Sequence, residues 1–280
     1  MARIAVIGLV GRSMFFDMPR FHSGGETIHA ERFHEEWGGK GFNQAVAAAR
    51  QGARVAFLGK VGSESDSLAV SAFCEKEGIR PVVYRSEPPD LPTACAAILT
   101  DGTGETRVTV ARGAELDEAD VDFGFRDEIA AADFLLLNNE VPEEVNLRAS
   151  EIAEENGVKV MFNPAPSRPL PDALKRRVFL FTPNEFETAG LADVQGEVVE
   201  TLGAKGCRVR STGEIIPVAP CGEAVDSTGA GDTFNGVLAV RLAEGLSLAK
   251  ACAEANVAAA RSVAIRYVLP SIPLRRADAR

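Results

Sequence analysis

The 280-residue sequence predicts an α/β fold in which helices cover a largely parallel β-sheet. Three observations lead to this fold class. Short apolar segments alternate along the chain with segments of helical periodicity, which is typical of repeated β-α-β units. Glycine or polar residues follow several of the apolar segments, and ligands bind at such positions in parallel sheets. The chain length fits one large domain with an appendage, or two small domains.

The elements follow from this alternation, because apolar segments bounded by turn residues predict strands and segments with helical spacing predict helices. The predicted strands are 4–8, 55–59, 134–137, 158–162 and 178–181. The predicted helices are 41–51, 68–78, 142–156, one that begins after residue 231 and one near 248–264. Each helix returns the chain to the start of the next strand, so the strands are expected to be parallel.

Two segments depart from the alternation. Residues 26–37 are predicted to be extended. Residues 93–112 predict a hairpin, with strands at 96–99 and 106–110 on either side of a glycine-containing turn. These segments predict additional β-structure outside the parallel sheet.

The segment 226–236, with the sequence DSTGAGDTFNG, is the strongest functional signal in the chain. It is a glycine loop that opens a helix. Backbone N–H groups of Gly229, Ala230 and Gly231 at the positive end of that helix would bind phosphate oxygens. Asp232, in the first helical turn, is a candidate base beside the phosphate. The alternative is an ordinary capped helix after a turn, and a Walker A loop is excluded because no Gly-Lys-Ser/Thr follows.

A second glycine-rich segment lies far from the first in sequence. Two adjacent glycines precede Lys40, and Asn43 follows at the start of an alanine-rich helix. Adjacent glycines allow a ligand to approach the backbone, and the two polar side chains can contact that ligand. Alone, the segment is equally consistent with a plain strand–helix turn. Together with the segment 226–236 it predicts a ligand site.

Composition narrows the functional classes. The net charge of −10 and pI near 5.0 argue against nucleic acid or an anionic membrane as a partner. No apolar run is long enough to span a bilayer, and residues 1–8 do not resemble a signal peptide. The five cysteines are scattered, which favours a cytoplasmic protein with free thiols over a disulfide framework or a zinc site.

The chain resembles the ribokinase-like sugar kinases, also called the phosphofructokinase-B family, and most of all their ribokinase branch. The motifs that carry the resemblance are Gly38-Gly39-Lys40-Gly41 with Asn43, Asn138-Asn139-Glu140, Asn163-Pro164-Ala165-Pro166, Thr182-Pro183-Asn184-Glu185, Thr201 to Gly206, the segment 226–236 and Pro270-Ser271-Ile272-Pro273. The resemblance implies a single ribokinase-like kinase domain over 1–280. It also implies a small β-sheet lid formed by about 12–37 and 93–112, covering the sugar and excluding water.

The resemblance implies transfer of the ATP γ-phosphate to a hydroxymethyl group of a sugar. Asp232 matches the catalytic base of the family, and the amides of Gly229, Ala230 and Gly231 would stabilise the transferred phosphoryl group. The residues that match sugar-binding positions are Gly39, Lys40, Asn43 and Glu140.

On the nucleotide side, the resemblance implies sites for ATP, Mg²⁺ and K⁺. The residues that match nucleotide-binding positions are Asn184, Thr201, Gly203, Gly206 and Asn256. Asn256 is equally consistent with a polar surface residue. Glu187 would help to hold Mg²⁺, through water. Asp226, Thr228 and carbonyl groups near Ser271 would form the monovalent cation site.

Two other functions remain open at this point: a nucleoside kinase of the same fold, and a catalytically silent regulator that binds a sugar or a nucleotide. The intact motif around Asp232 argues against the silent regulator, and Lys40 and Glu140 favour a free sugar over a nucleoside. A homodimer through the lid is expected, because a small sheet cannot bury its own outer face.

The chain departs from the family at two places. Ribokinases carry Asn-x-Asp after the first strand, and Gly11 and Ser13 stand there, which predicts weak use of ribose and its rescue by Asn and Asp at those positions. The stretch from Phe181 to Val198 is also short, because the family has a crossover helix and another strand in this region. The sequence leaves open whether this connection is trimmed or residues are missing.

Overall fold

A computed structural model of the chain describes residues 1–86, 91–218 and 222–275. Its strands are β1 (Arg3–Ile7), β2 (Gly11–Asp17), β3 (Arg32–Gly38), β4 (Arg54–Val61), β5 (Ile79–Arg85), β6 (Ala94–Thr100), β7 (Thr106–Ala111), β8 (Phe134–Asn138), β9 (Lys159–Asn163), β10 (Val178–Phe181), β11 (Glu197–Thr201), β12 (Cys207–Val209) and β13 (Ile215–Ile216). Its α-helices are α1 (Lys40–Arg50), α2 (Glu64–Lys76), α3 (Glu118–Gly124), α4 (Arg126–Ala130), α5 (Glu143–Glu155), α6 (Asp172–Arg177), α7 (Ala230–Ala243) and α8 (Leu248–Ser262).

A large sheet of nine described strands has the order β13-β12-β11-β10-β9-β8-β1-β4-β5. Each pair of adjacent strands in the run β11-β10-β9-β8-β1-β4-β5 is parallel. At one edge, β12 pairs antiparallel with β11, and β13 pairs antiparallel with β12. The central strands β1 and β8 are almost entirely buried, as expected for apolar strands covered on both faces. The predicted α/β class with a parallel sheet between helices is confirmed.

The two faces of this sheet bury separate apolar cores, and alternate residues of β1 contribute to each. Ile4 and Val6 pack with residues of α1, α2, α7 and α8. Ala5 and Ile7 pack on the other face with residues of α3 to α6. Burying both faces fixes the register of the central strands, because a slip of one residue would exchange the two sets of side chains.

A second sheet has the order β3-β2-β6-β7. It contains the predicted hairpin as β6 and β7, and the end of the predicted extended segment as β3. Strand β2, which begins at Gly11 and pairs with both β3 and β6, was not predicted from the local sequence pattern. Most of β2 is partly buried on both faces, so its sequence lacks the alternation that marks a strand.

The connection from β10 to β11 is a shortened crossover. Leu180 and Phe181 pair in parallel with Glu197 and Val198, and residues 182–196 contain only one 3₁₀ turn, Thr188–Leu191, instead of a helix. Leu191 of this turn is buried in the apolar core between the large sheet and helices α3 to α6. The length meets the requirement of about a dozen residues for a parallel crossover, so the connection closes as it stands.

The sequence located the long helices and the central strands to within a few residues. It did not predict the strands β2, β5 and β11 to β13 or the short helices α3, α4 and α6. Helices of five to seven residues contain too few turns to show a clear apolar period. Within the described ranges, no helix combines the length and apolarity needed to cross a membrane.

Helices α1 and α7 approach each other closely at Gly236. A Cβ atom on this glycine would lie 2.6 Å from the Ala47 Cβ atom and 2.6 Å from the Gln44 carbonyl oxygen. The close approach aligns the first turns of the two helices. It therefore fixes the distance between side chains that the two helices contribute to one site.

We expect Gly236→Ala to lower the free energy of unfolding measured by urea denaturation. Overpacking costs about 1–3 kcal/mol, and the gain in helix propensity, about 1 kcal/mol, offsets only part of it. The control is Gly190→Ala, where an added Cβ atom meets nothing within 4 Å and stability should be unchanged. A Gly236→Ala protein as stable as the wild type would contradict the close helix contact.

Candidate active site

A cavity of about 120 Å³ lies at the carboxyl ends of the parallel strands, where α7 begins. Its lining comes from segments that are distant in sequence. The lining residues are Lys40, Asn163, Ala165, Thr182, Asn184, Glu187, Thr201, Gly229, Gly231, Asp232 and Asn235. The two glycine-rich segments that the sequence singled out therefore meet at one site.

Asp232 lies in the first turn of α7, and its carboxylate is buried. It accepts hydrogen bonds from Asn43 Nδ2 at 2.9 Å and Gln44 Nε2 at 3.2 Å. Burial raises the pKa of Asp232 above its ordinary value, while the Lys40 ammonium and the two amides oppose that shift. A desolvated carboxylate held in one orientation by two amides is suited to accept a proton from a bound hydroxyl group.

Gln44 is a site residue that the sequence did not predict. Its amide contacts Asp232 and lies 3.5 Å from Asn163 Oδ1, and Asn163 Nδ2 donates to the Thr182 carbonyl at 2.9 Å. A fully buried glutamine within an alanine-rich helix is the signal that could have identified it, because a buried amide requires a partner.

Residues 229–231, here called the anion loop, form the start of α7. Gly229 has φ 76°, a conformation that favours glycine, and it precedes the first helical residue. Gly229 and Gly231 line the cavity. The Ala230 N–H group donates to the Ser227 carbonyl at 3.2 Å, so it already has a partner within the turn. Anion binding at this helix N-terminus would therefore depend mainly on the two glycines and on the helix dipole.

Lys40 is a partly buried cation whose charge interacts with three carboxylates. Burial by itself would lower the pKa of Lys40, but the carboxylates of Asp232, Glu140 and Glu187 outweigh burial and the pKa is raised. The backbone N–H group of Lys40 donates to Glu140 Oε2 at 2.6 Å. Burial raises the pKa of Glu140 to about 7, with the Lys40 charge and N–H group opposing the shift.

Gly39 has φ 120° and lies against the Leu9 carbonyl oxygen, so only glycine fits before Lys40.

Asn184 and Glu187 form a closed pair after β10. Asn184 donates from its backbone N and from Nδ2 to the two oxygens of the Glu187 carboxylate, both at 2.9 Å. Thr201 lies beside them, because its N–H group donates to the Pro183 carbonyl at 2.8 Å. The pairing fixes the Glu187 carboxylate at the cavity wall and leaves lone pairs on its oxygens for a hydrated cation.

Three predicted nucleotide-binding residues lie outside the cavity lining. Gly203 and Gly206 form a tight turn between β11 and β12, and a Cβ atom on Gly206 would lie 2.1 Å from the Ile216 carbonyl oxygen. Asn256 Nδ2 donates to that same carbonyl at 2.8 Å. Asn256 is 4% exposed, so the alternative of a polar surface residue was wrong.

Asp226, Thr228 and Ser271 lie behind the anion loop. The Asp226 carboxylate accepts the N–H groups of Thr228 and Tyr267, both at 2.9 Å. The Ser271 hydroxyl group donates to the Val268 carbonyl at 2.8 Å. In the described part of the chain no three His, Cys, Asp or Glu side chains form a metal-binding cluster. A monovalent cation here would therefore need carbonyl oxygens in addition to Asp226.

Several buried polar atoms near Asp232 have no hydrogen-bond partner among the described residues. They are Thr182 Oγ1, Asn235 Oδ1 and Asn43 Oδ1. Asn235 and Thr182 line the cavity, and Asn43 contacts Asp232 through its other amide atom. Unpaired buried polar atoms are costly in a folded protein, so their grouping here indicates a site that a polar ligand completes.

Gly11 and Ser13 lie on β2 beside this site, at the end of the small sheet. A Cβ atom on Gly11 would lie 2.4 Å from the Ala94 carbonyl oxygen, so this position has no room for a side chain. This steric conflict argues against the expected rescue by Asn at this position. The Ser13 hydroxyl group packs against Gly38, whose added Cβ atom would lie 2.2 Å from Ser13 Oγ.

The family model for pfkB family carbohydrate kinases matches residues 1–273. A ribokinase from Haemophilus influenzae is 34% identical over 294 residues, which covers 98% of this chain and 96% of that protein. The structure of ribokinase from Giardia lamblia aligns with a TM-score of 0.86 and 26% identity, over 98% of this chain and 96% of that one. The structure of Arabidopsis thaliana ribokinase complexed with ribose and ATP aligns with a TM-score of 0.83 and 25% identity, over 98% and 97%.

We expect Asp232→Asn to retain the fold and most of the nucleotide affinity while turnover falls by about two to four orders of magnitude, the range for loss of a general base. Turnover is measured by coupled release of ADP, and nucleotide affinity by titration. Asp172→Asn, at an exposed position of α6, is the matched control and should behave as the wild type. An Asp232→Asn enzyme with more than about a tenth of wild-type turnover would rule out this role.

Proposed function

We propose a mechanism and an acceptor for this chain, which belongs to the pfkB family of carbohydrate kinases and is an ATP-dependent sugar kinase. In the proposed reaction, a sugar hydroxymethyl oxygen attacks the γ-phosphorus of ATP while Asp232 accepts its proton. The bond between the γ-phosphorus and the bridging oxygen breaks, and ADP leaves. The observation that carries the assignment is the buried Asp232 carboxylate, held by two amides at the end of the anion loop. An ordinary carboxylate suffices, because proton transfer occurs late in a loose transition state.

On the phosphate side, Gly229 and Gly231 would donate N–H groups to the transferred phosphoryl group, with Ala230 in the same turn. Glu187, paired with Asn184, fits a Mg²⁺ ion held through water, because this ion retains most of its water ligands. When bound, Mg²⁺ supplies charge neutralisation on the phosphates. Thr201, together with the turn at Gly203 and Gly206 and with Asn256, is proposed to face the rest of the nucleotide.

On the acceptor side, Gly39, Lys40, Asn43 and Glu140 are proposed to bind sugar hydroxyl groups. The partly buried Glu140 carboxylate is an acceptor fixed against the Lys40 backbone, which fits a polyhydroxylated ligand. The small sheet, from about 12–37 and 93–112, is proposed as the lid of a single kinase domain. It would exclude water, which competes as a phosphate acceptor.

A nucleoside is a second candidate acceptor. The row of the small sheet that contains Gly11 carries small residues, because Gly11 is opposite Gly38 and Ala94. In the next row on that face, Ser13 lies between Ala96 and Glu36. Opposed residues of neighbouring strands share a face. Small side chains there would leave space for a substituent on the sugar.

We further propose a homodimer through the small sheet, in the cytoplasm. Strand β7 is an edge strand whose six residues are all exposed, including Val108 at 57% and Val110 at 55%. An exposed apolar edge strand pairs readily with another chain, and a second copy would cover it. The acidic composition and scattered cysteines support a cytoplasmic location.

A monovalent cation at Asp226 should raise activity. If K⁺ binds there, its field orders the amides of the anion loop, and turnover in KCl should exceed turnover in NaCl at the same ionic strength. Asp226→Asn should remove this difference, and its single amide oxygen can still accept one of the two N–H groups that Asp226 accepts from Thr228 and Tyr267. Equal wild-type rates in the two salts would exclude the cation site.

The acceptor is tested by a panel of pentoses, hexoses and nucleosides, each assayed by coupled ADP release with Asp232→Asn as the blank. We expect ribose to have a kcat/KM about ten- to a thousandfold below that of the best acceptor, because Gly11 and Ser13 offer fewer hydrogen bonds than Asn and Asp. Ser13→Asp should improve ribose use, whereas Gly11→Asn should destabilise the protein through its contact with Ala94. If ribose ranks first in the panel, the inference from these two positions is wrong.

A further inference from the structure

Glu36 connects the small sheet to the loop 266–269, here called the clamp loop. Its side chain is only 7% exposed. Glu36 Oε1 accepts the N–H group of Val268 at 2.8 Å and that of Leu269 at 3.2 Å. Its other oxygen lies 3.1 Å from His34 Nε2 on the same strand. A buried carboxylate that accepts two consecutive peptide N–H groups makes strong, charge-assisted contacts.

The clamp loop in turn contacts the anion loop directly. An added Cβ atom on Gly229 would lie 2.4 Å from Val268 Cγ1, so the Val268 side chain packs on the Gly229 Cα atom. The preceding N–H group, that of Tyr267, donates to Asp226 in the segment that enters the anion loop. Three consecutive N–H groups of the clamp loop therefore bond to two carboxylates. The Tyr267 N–H group donates to Asp226, and the next two donate to Glu36 of the small sheet.

The backbone of the clamp loop is strained where these contacts meet. Tyr267 has φ 66°, the positive value that non-glycine residues avoid. Its ring stacks on His34 with centroids 4.0 Å apart and meets the Phe15 ring edge-on at 5.3 Å. Both of these residues belong to the small sheet. A strained residue that persists because its surroundings hold it is characteristic of functional positions.

We propose that Glu36 is a positioning residue for phosphoryl transfer, acting through Val268 on Gly229. The proposal rests on the proposed function, in which the amides of the anion loop stabilise the transferred phosphoryl group. Glu36 holds the Val268 backbone, the Val268 side chain supports Gly229, and Gly229 sets the direction of the amides at the start of α7. Seating of the small sheet is therefore coupled to the geometry of the phosphate site.

The test compares steady-state kinetics of variants, with ATP and the acceptor that has the highest kcat/KM in the panel. Glu36→Ala should lower kcat at saturating substrates by about ten- to a hundredfold, because displacement of catalytic groups by about 1 Å has effects of that size. Glu36→Gln retains an acceptor oxygen and should recover most of the loss. Val268→Ala, which leaves the Glu36 carboxylate in place, should lower kcat as well.

Arg266→Ala is the matched control. Arg266 belongs to the same loop and joins the same sheet through Asp17 at 2.7 Å, but this contact does not involve Gly229 or its support. Its kcat should stay within about twofold of the wild type, since an exposed ion pair contributes little. The Glu36→Ala, Val268→Ala double variant should lose little more than the worse single variant, because the two residues act in series.

The outcomes separate this inference from the proposed function. A folded Glu36→Ala enzyme with unchanged kcat, or with only a raised KM for the acceptor, would show that Glu36 merely attaches the sheet. Should Glu36→Ala not fold, an unchanged kcat in Val268→Ala would overturn the proposal equally. If Asp232→Asn retains full turnover, the proposed function fails first. If Asp232→Asn is inactive while Glu36→Ala and Val268→Ala are normal, only the present inference fails.

Discussion

The attraction between the partly buried Lys40 ammonium group and the carboxylates around it is the interaction on which the rest of the site depends. Three carboxylates are brought close together here, those of Asp232, Glu140 and Glu187, and they come from three different parts of the chain. Without a cation, carboxylates in a buried site repel each other and become protonated. Lys40 therefore allows the carboxylate of Glu140 on the acceptor side and those of Asp232 and Glu187 in the cavity to lie around one cation.

Helix packing converts that electrostatic arrangement into fixed geometry. Lys40 is the first residue of α1, and Asp232 is in the first turn of α7. The two helices touch at Gly236, so Asn43 and Gln44 reach the Asp232 carboxylate. Burial raises the pKa of Asp232. The two amide donors and the Lys40 cation stabilise its charged form and so oppose that rise in part. The site is thus prepared before a ligand arrives, which is how enzymes avoid reorganisation during reaction.

The small sheet is joined to the phosphate side of the site through backbone contacts rather than through side chains alone. In the clamp loop, one N–H group donates to Asp226 and the next donates to Glu36. The Val268 side chain packs against Gly229. Such contacts are hidden from sequence patterns, since any residue supplies an N–H group. They also explain why a positive φ at Tyr267 is tolerated, because aromatic contacts from the small sheet hold the residue in place.

The sequence by itself determined the fold class, the long elements, the site of Asp232 in the first turn of α7 and the glycine loop before it, because apolar periodicity and glycine spacing are local properties. Strand β2 and the packing that excludes a side chain at Gly11 were decided only by the tertiary structure, since both depend on pairing with Ala94, far away in sequence. The same holds for Gln44, Glu36 and Val268. Their partners lie on other elements, and only the folded chain brings the atoms of each pair together.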